Sequence, residues 1–279
     1  MICLTGDIHH ASLGTGNQRH CDISEVQVAG RFLRLLERFD IKATFFVSGK
    51  AFAEEWPDLA PVAHHPLVEL GGHNWSCFQP ALCHRISKKL LGSYNGPAWY
   101  ERLDARRTID VIRARTGHRI RAWRNHMYMH GPHTDRVLAA SGIEVCSDGT
   151  ARHSCGPEWR PAGLYHLPIN VIPDHEHLYH AERTPEWVAW WVKRYQWSDD
   201  WGPWSYEIDA WVDLVLADLR RNEARGAVST LIIHPITMYL CDRFAGVERI
   251  LEYVASRPTR HVSEVVAEAR RGARSAVAA

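Results

Sequence analysis

The strongest constraint on this chain is an alternation. Seven short runs, each apolar throughout or apolar at every second residue, are separated by longer stretches of helical periodicity. The runs lie at 1–10, 42–49, 67–73, 119–126, 144–148, 164–171 (broken by Pro168) and 228–235. Strands that alternate with helices are joined by crossovers, and crossovers make neighbouring strands parallel. The expected class is therefore α/β, a parallel, barrel-like sheet buried on both faces. In such sheets the chemistry gathers at the C-terminal ends of the strands.

The intervening segments carry helix signals. Ser24 with Gln27 three residues on is a capping box, and Val28, Phe32, Leu35, Leu36 and Phe39 then form one apolar stripe. Further helices are expected over 51–64, 98–116 (stopped by Gly117), 134–141, 185–196, 206–224, 246–256 and 262–271, with a frayed tail beyond. The stretch 84–94 has no defined pattern, and 173–177 reads as a polar loop. The glycine-rich segment 12–18 lacks the spacing of a phosphate-binding loop. No fixed-period repeat or low-complexity linker interrupts the chain, so its 279 residues are expected to form a single domain, 1–279.

Composition narrows the partners. With 33 basic against 32 acidic residues the net charge is +1, which gives no broad field for nucleic acid or an anionic membrane, so neither is expected as a partner. Seven cysteines without C-x-x-C spacing suit free thiols, no run reaches about 18 apolar residues, and the expected compartment is the cytoplasm. The chain is rich in His (18) and Trp (12), so a single histidine at an inviting place carries little weight.

What carries weight is position. Asp7 and His9, His73, Arg124 and His126, Asp148, and His234 all stand at the last residues of their strands. The period of two puts Cys3, Thr5, Asp7 and His9 on one face, suited to the inside of a barrel mouth, and Ile2, Leu4 and Ile8 on the other, suited to packing under helices. An inward Arg124 requires an anionic partner. Among the tryptophans, Trp187, Trp190 and Trp191 follow helical spacing and suit packing or a subunit interface, which leaves a homo-oligomer open. The loop from Trp197 to Trp204, with Gly202 and Pro203, is expected over the mouth, with Trp201 and Trp204 as its substrate-binding aromatics, joined by His126. His130, His133, His175 and His177 are read as loop residues.

Taken together, these segments resemble the polysaccharide deacetylases of the NodB-homology type. The resemblance rests on Thr5-Gly6-Asp7-Ile8-His9, on Lys42-Ala43-Thr44-Phe45-Phe46-Val47-Ser48-Gly49, on Glu69-Leu70-Gly71-Gly72-His73-Asn74-Trp75-Ser76-Cys77, on Trp123-Arg124-Asn125-His126 and on Ile232-Ile233-His234-Pro235. It implies a distorted seven-stranded (β/α) barrel and hydrolysis of carbon–nitrogen bonds other than peptide bonds, usually with a divalent metal. By the same resemblance Asp7 is the general base, Arg124 orients it, and His234 is the general acid, tuned by a carboxylate that is either Asp148 or Asp174. The family's second metal-binding Asp is replaced here by His9, its second His by Cys77, and the Pro after the motif Arg by Asn125.

Three readings follow. A rearranged site would bind zinc or a similar ion through His9 and His73, with His10, His126 or Cys77 as third ligand, because imidazole and thiolate favour borderline metals. Its substrate would be a small N-acylated sugar or other soluble amide. Alternatively the metal is lost, as in ureide-hydrolysing branches, and the substrate is a cyclic amide or ureide. The third reading is a non-catalytic carbohydrate-binding relative.

Overall fold

The structure is a computed structural model that describes residues 1–10 and 16–278, with side chains as far as Gly272; most of the glycine-rich segment 12–18 lies outside the described residues. The elements run β1 (Ile2–Ile8), α1 (Glu25–Phe39), β2 (Ala43–Val47), α2 (Gly49–Glu54), α3 (Trp56–Ala63), β3 (Val68–Gly72), α4 (Ala81–Leu91), α5 (Ala98–Thr116), β4 (Ala122–Trp123) and α6 (Thr134–Ala140). They continue with β5 (Val145–Cys146), β6 (Glu158–Arg160), β7 (Leu164–His166), α7 (Asp174–His177), α8 (Pro185–Tyr195), α9 (Ile208–Ala224), β8 (Ser229–Ile232), α10 (Pro235–Asp242), α11 (Ala245–Ala255) and α12 (Val262–Ala278).

The strands form one curled sheet in the order β6-β7-β5-β4-β3-β2-β1-β8. All seven expected strands are present and mutually parallel, and the unexpected β6 adds an antiparallel edge to β7. The ends of the curl meet through a side chain. Past Pro168, Asn170 N–H donates to Thr230 O (3.2 Å), Asn170 Oδ1 accepts from Thr230 N (2.8 Å), and Asn170 Nδ2 donates to Val228 O (2.8 Å). One amide thus supplies pairing that a continued β7 would have given, which is the distortion of the barrel.

The two faces of β1 separate as the period of two requires. Ile2, Leu4 and Ile8 join the large core beneath the helices, together with Phe45, Val47 and the α1 residues Val28, Phe32 and Leu36. Cys3 faces inward and packs with Phe46, Ala122, Val145, Tyr165 and Leu167, and with Val262, Val265 and Val266 of α12. That helix therefore stops the N-terminal end of the barrel. Burying each such valine contributes roughly 1.5–3 kcal/mol, so the floor beneath the site is firm.

Several local expectations changed. The stretch 84–94 contains most of α4, the polar loop holds the single turn α7, and the helix expected to fray after Arg271 continues to Ala278. The β4 run expected over 119–126 pairs only at Ala122–Trp123, since its remaining residues turn into the mouth. Gly117 adopts φ +75° and ends α5 as expected. Gly71 has a steric reason: a Cβ there would lie 2.4 Å from the Phe46 ring, so any side chain would displace the ring that floors the mouth.

Candidate active site

The inner face of β1 delivers Asp7 to the mouth, and β4 delivers Arg124 opposite it. Arg124 is wholly buried, yet all three of its guanidinium nitrogens donate hydrogen bonds. Nη1 donates to Asp7 Oδ1 (2.9 Å), Nη2 to Thr5 Oγ1 (3.0 Å) and Ser147 Oγ (2.8 Å), and Nε to Ser147 O (2.9 Å). Both hydroxyls point their own protons away, Thr5 to Leu231 O and Ser147 to Leu167 O, and so present lone pairs to the cation. Phe46 lies beneath, its ring centre 4.4 Å from the guanidinium carbon. The buried charge thus has its anion and its hydrogen bonds, the condition for tolerating it.

Three imidazoles converge beside Asp7. His9 Nε2 stands 3.2 Å from His73 Nε2, and His126 Nδ1 stands 3.3 Å from the same atom. The outer nitrogens of two rings are committed: His9 Nδ1 donates to Glu25 Oε2 (2.8 Å) and His73 Nδ1 donates to Arg124 O (2.9 Å). Glu25 arrives because the Ser24 capping box fixes the first turn of α1 at this point. With those protons assigned, neutral His9 and His73 aim bare lone pairs at each other, a repulsive arrangement unless a cation lies between them. Protonating His73 or His126 is a poor remedy. Burial, followed by the charges of His9, Arg124 and His234, holds His73 well below the usual imidazole range, and burial, His9 and His73 do the same to His126.

The donor set therefore fits a metal ion. His9, His73, Cys77 and His126 bring one ligand atom each within 4.8 Å of one another. Cys77 is the weakest member, since burial pushes its thiol up and Sγ contacts His73 O at 3.8 Å. His10 is not in the group. Its Nε2 faces Glu54 (3.2 Å) and Glu55 (3.5 Å) where α2 meets α3, because the chain leaves β1 there and turns the ring away from the mouth. His126 occupies the third place instead.

His234 closes the site from the end of β8. Its Nδ1 lies 2.7 Å from Asp174 Oδ1, and its backbone N–H donates to Asp174 Oδ2 (2.6 Å). Nε2 faces Asp7 Oδ2 at 3.7 Å, while His73 Nε2 faces the same oxygen at 3.8 Å. Burial opposes charging His234, but Asp174, Asp7 and Glu176 outweigh it and raise its pKa to about 9. Of the two carboxylates left open by the sequence, Asp174 is the partner. Asp148 accepts from Asn125 N and Nδ2 (2.7 Å each) and pairs with His130 (2.9 Å), so it braces the loop that carries His126.

A cavity of about 680 Å³ opens over these groups, within the range of small-molecule sites. It is lined by Asp7, His9, His126 and His234, and by Trp187, Trp191 and Trp197. Of the loop expected over the mouth Trp197 lines it, whereas Trp201 and Trp204 do not. Trp201 is buried and donates from Nε1 to Asp218 Oδ2 (2.6 Å), and Trp204 stands exposed elsewhere. Of the tryptophans at helical spacing, Trp187 and Trp191 face the cleft and Trp190 faces solvent: Trp187 stacks on Trp191 at 5.8 Å, and Trp191 meets Trp197 at 4.9 Å. Two further cleft residues are marked by no motif. Tyr128 Oη and Glu176 Oε2 are buried without a hydrogen-bond partner among the described residues, and burial raises the Glu176 carboxyl to about 7. Met127 and Tyr128 both hold φ +54°, a left-handed conformation that costs non-glycine residues of order 1 kcal/mol each. A second hollow of about 500 Å³, beside Trp75, Tyr100 and Arg107, contains none of the converging groups.

Comparison with known proteins agrees with this geometry. Residues 21–146 match the family model described as polysaccharide deacetylase. No curated protein matches the chain. Among solved structures, a protein of Mycobacterium smegmatis grouped with the polysaccharide deacetylases is 17% identical with a TM-score of 0.68, over 96% of this chain and 91% of that one. A second such protein, from Pseudomonas aeruginosa PAO1, is 15% identical with a TM-score of 0.63, over 97% and 91%. The Puue allantoinase shares the fold at 18% identity with a TM-score of 0.59, over 94% and 86%. Residues 21–146 thus resemble the polysaccharide deacetylases, and the three solved structures show that the chain shares their fold.

Proposed function

We propose that this chain, as one domain over 1–279, hydrolyses the N-acyl bond of a small N-acylated sugar or related amide. The reading includes a divalent ion held by His9, His73 and His126. Three imidazoles, with a thiol nearby, favour zinc over magnesium. An ion bound there would supply Lewis acidity toward the acyl carbonyl and lower the pKa of nearby water.

The remaining steps belong to the chain's own residues. Arg124 holds Asp7 Oδ1 and fixes its rotamer, leaving Oδ2 toward the cleft to take a proton from the attacking water. His234 carries a proton that Asp174 holds in place, and passes it to the departing amine. Tyr128 Oη is a donor and Glu176 a donor or acceptor for substrate groups beyond the reacting bond. Trp187 and Trp191 offer an apolar wall suited to a sugar face. Seven free cysteines fit a reducing compartment and an intracellular substrate.

The observation that carries the reading is Asp7 Oδ2, placed 3.8 Å from His73 and 3.7 Å from His234. A screen of N-acetylated sugars and small amides for released acid or amine tests it. Wild-type turnover should fall by on the order of 10²–10⁴ in Asp7→Asn while circular dichroism stays unchanged. Equal turnover in the two proteins would refute the assignment.

One feature favours a second reading, metal-independent hydrolysis of a cyclic amide or ureide. The donor Tyr128 and acceptor Glu176 suit the adjacent carbonyl and N–H that such a ring presents. Chelation separates the two, since it should abolish the first activity and spare the second.

A further inference from the structure

One wall of the cleft carries an outer surface unlike the rest of the molecule. Leu82, Ile86 and Leu90, four residues apart on α4, project into solvent, with Leu82 70% and Leu90 73% exposed. On α5, Trp99 and Leu103 are 68% and 57% exposed. With Leu91, half of the twelve exposed large apolar side chains among the described residues fall between positions 82 and 103. Such clustering marks an interaction surface, whereas scattered single residues do not. The two helices are joined by Tyr100, whose ring lies 5.8 Å from His84, and His84 in turn packs on Phe78 at 5.1 Å.

The charge on this surface has one sign. Every exposed charged residue from 81 to 107 is basic: Arg85, Lys88, Lys89, Arg102, Arg106 and Arg107. Glu101 is buried, and Asp104 turns inward to accept from Trp75 N and Asn74 Nδ2. Among the described residues only Arg106 of these has an ion-pair partner, Asp110 at 3.7 Å. The net charge of +1 therefore conceals a local concentration of positive charge.

We infer that α4 and the first turns of α5 form a docking surface for an anionic lipid bilayer. No helix among the described residues is long and apolar enough to cross a membrane, so the contact is interfacial. Leu82, Ile86, Leu90 and Trp99 enter the headgroup boundary and the basic side chains meet the lipid phosphates, the arrangement of an amphipathic helix lying in the interface. A second copy of the chain fits less well, since a two-fold contact through this face would set Arg85, Lys88 and Lys89 against the same residues of the copy. Arg85 also lines the cleft, so docking holds the mouth beside the headgroups. This revises the expectation that no membrane takes part, and it does not depend on which amide is cleaved.

The test is co-sedimentation of the full chain with vesicles of phosphatidylcholine alone or with about 30% phosphatidylglycerol. Binding is expected only to the anionic vesicles, and it should be lost at about 0.5 M salt. Both Leu82→Ser/Leu90→Ser and Lys88→Gln/Lys89→Gln should weaken it about tenfold or more, with unchanged circular dichroism because all four positions are exposed. Absence of wild-type binding overturns the inference, as does binding that ignores the leucine substitutions. A wild-type dimer that the leucine variant dissociates, without vesicle binding, would instead assign the face to a second copy.

Discussion

Arg124 and Asp7 show how one buried pair serves both stability and chemistry. The guanidinium reaches Thr5 of β1, the Ser147 that follows β5, and the Asp7 carboxylate. Arg124→Gln should cost about 3–5 kcal/mol in chemical denaturation, since it leaves a buried carboxylate without its cation. Arg124→Lys should recover little of this, because an ammonium lacks the fork that spans three acceptors. His234 makes a second prediction. Its pKa in the folded protein, about 9, exceeds the ordinary imidazole value of 6.5. The stability from its pairing is thus fully present below about pH 6.5 and fades as pH rises through about 9. The alkaline limb of activity should lie near pH 9 and move to lower pH in Asp174→Asn, with NMR titration of the His234 ring following the same shift.

At the scale of elements, helices bring in what strand ends cannot. The capping box of α1 was legible from Ser24 and Gln27, but its use was not: the turn it fixes also presents Glu25 to His9. The α8 pattern was legible as a helix, while the side it offers to the cleft depends on how the chain crosses the mouth after α7. The sequence reading therefore pointed to the loop from Trp197 to Trp204, of which Trp197 reaches the cleft, and the fold adds Trp187 and Trp191. Trp191→Ala should raise KM about tenfold with kcat changed far less, because a wall that contacts substrate and transition state alike contributes uniform binding. A fall in kcat at constant KM would place Trp191 nearer the reacting atoms. The shortness of β4 and the helical nature of α4 escaped the sequence, since one segment is shaped by its turn into the site and the other by an exposed apolar ridge that resembles no core stripe.

For the molecule as a whole, the alternation of strands and helices was enough to find seven parallel strands. Closure was not legible, because it runs through the side-chain amide of Asn170, and no period in the sequence encodes that contact. Nor was the choice between His10 and His126. Adjacent residues at a strand end point in different directions, and only the turn after β1 decides which imidazole reaches His73. That choice is also the most direct test of the account. Metal content should be measured on the purified chain after equilibration with zinc and dialysis, beside His9→Ala, His73→Ala, His126→Ala and His10→Ala. The account predicts about one ion per chain in wild type and in His10→Ala, with loss of most of it in each of the other three. A wild-type protein that retains no zinc, or retention that fails in His10→Ala and survives in His126→Ala, would contradict it.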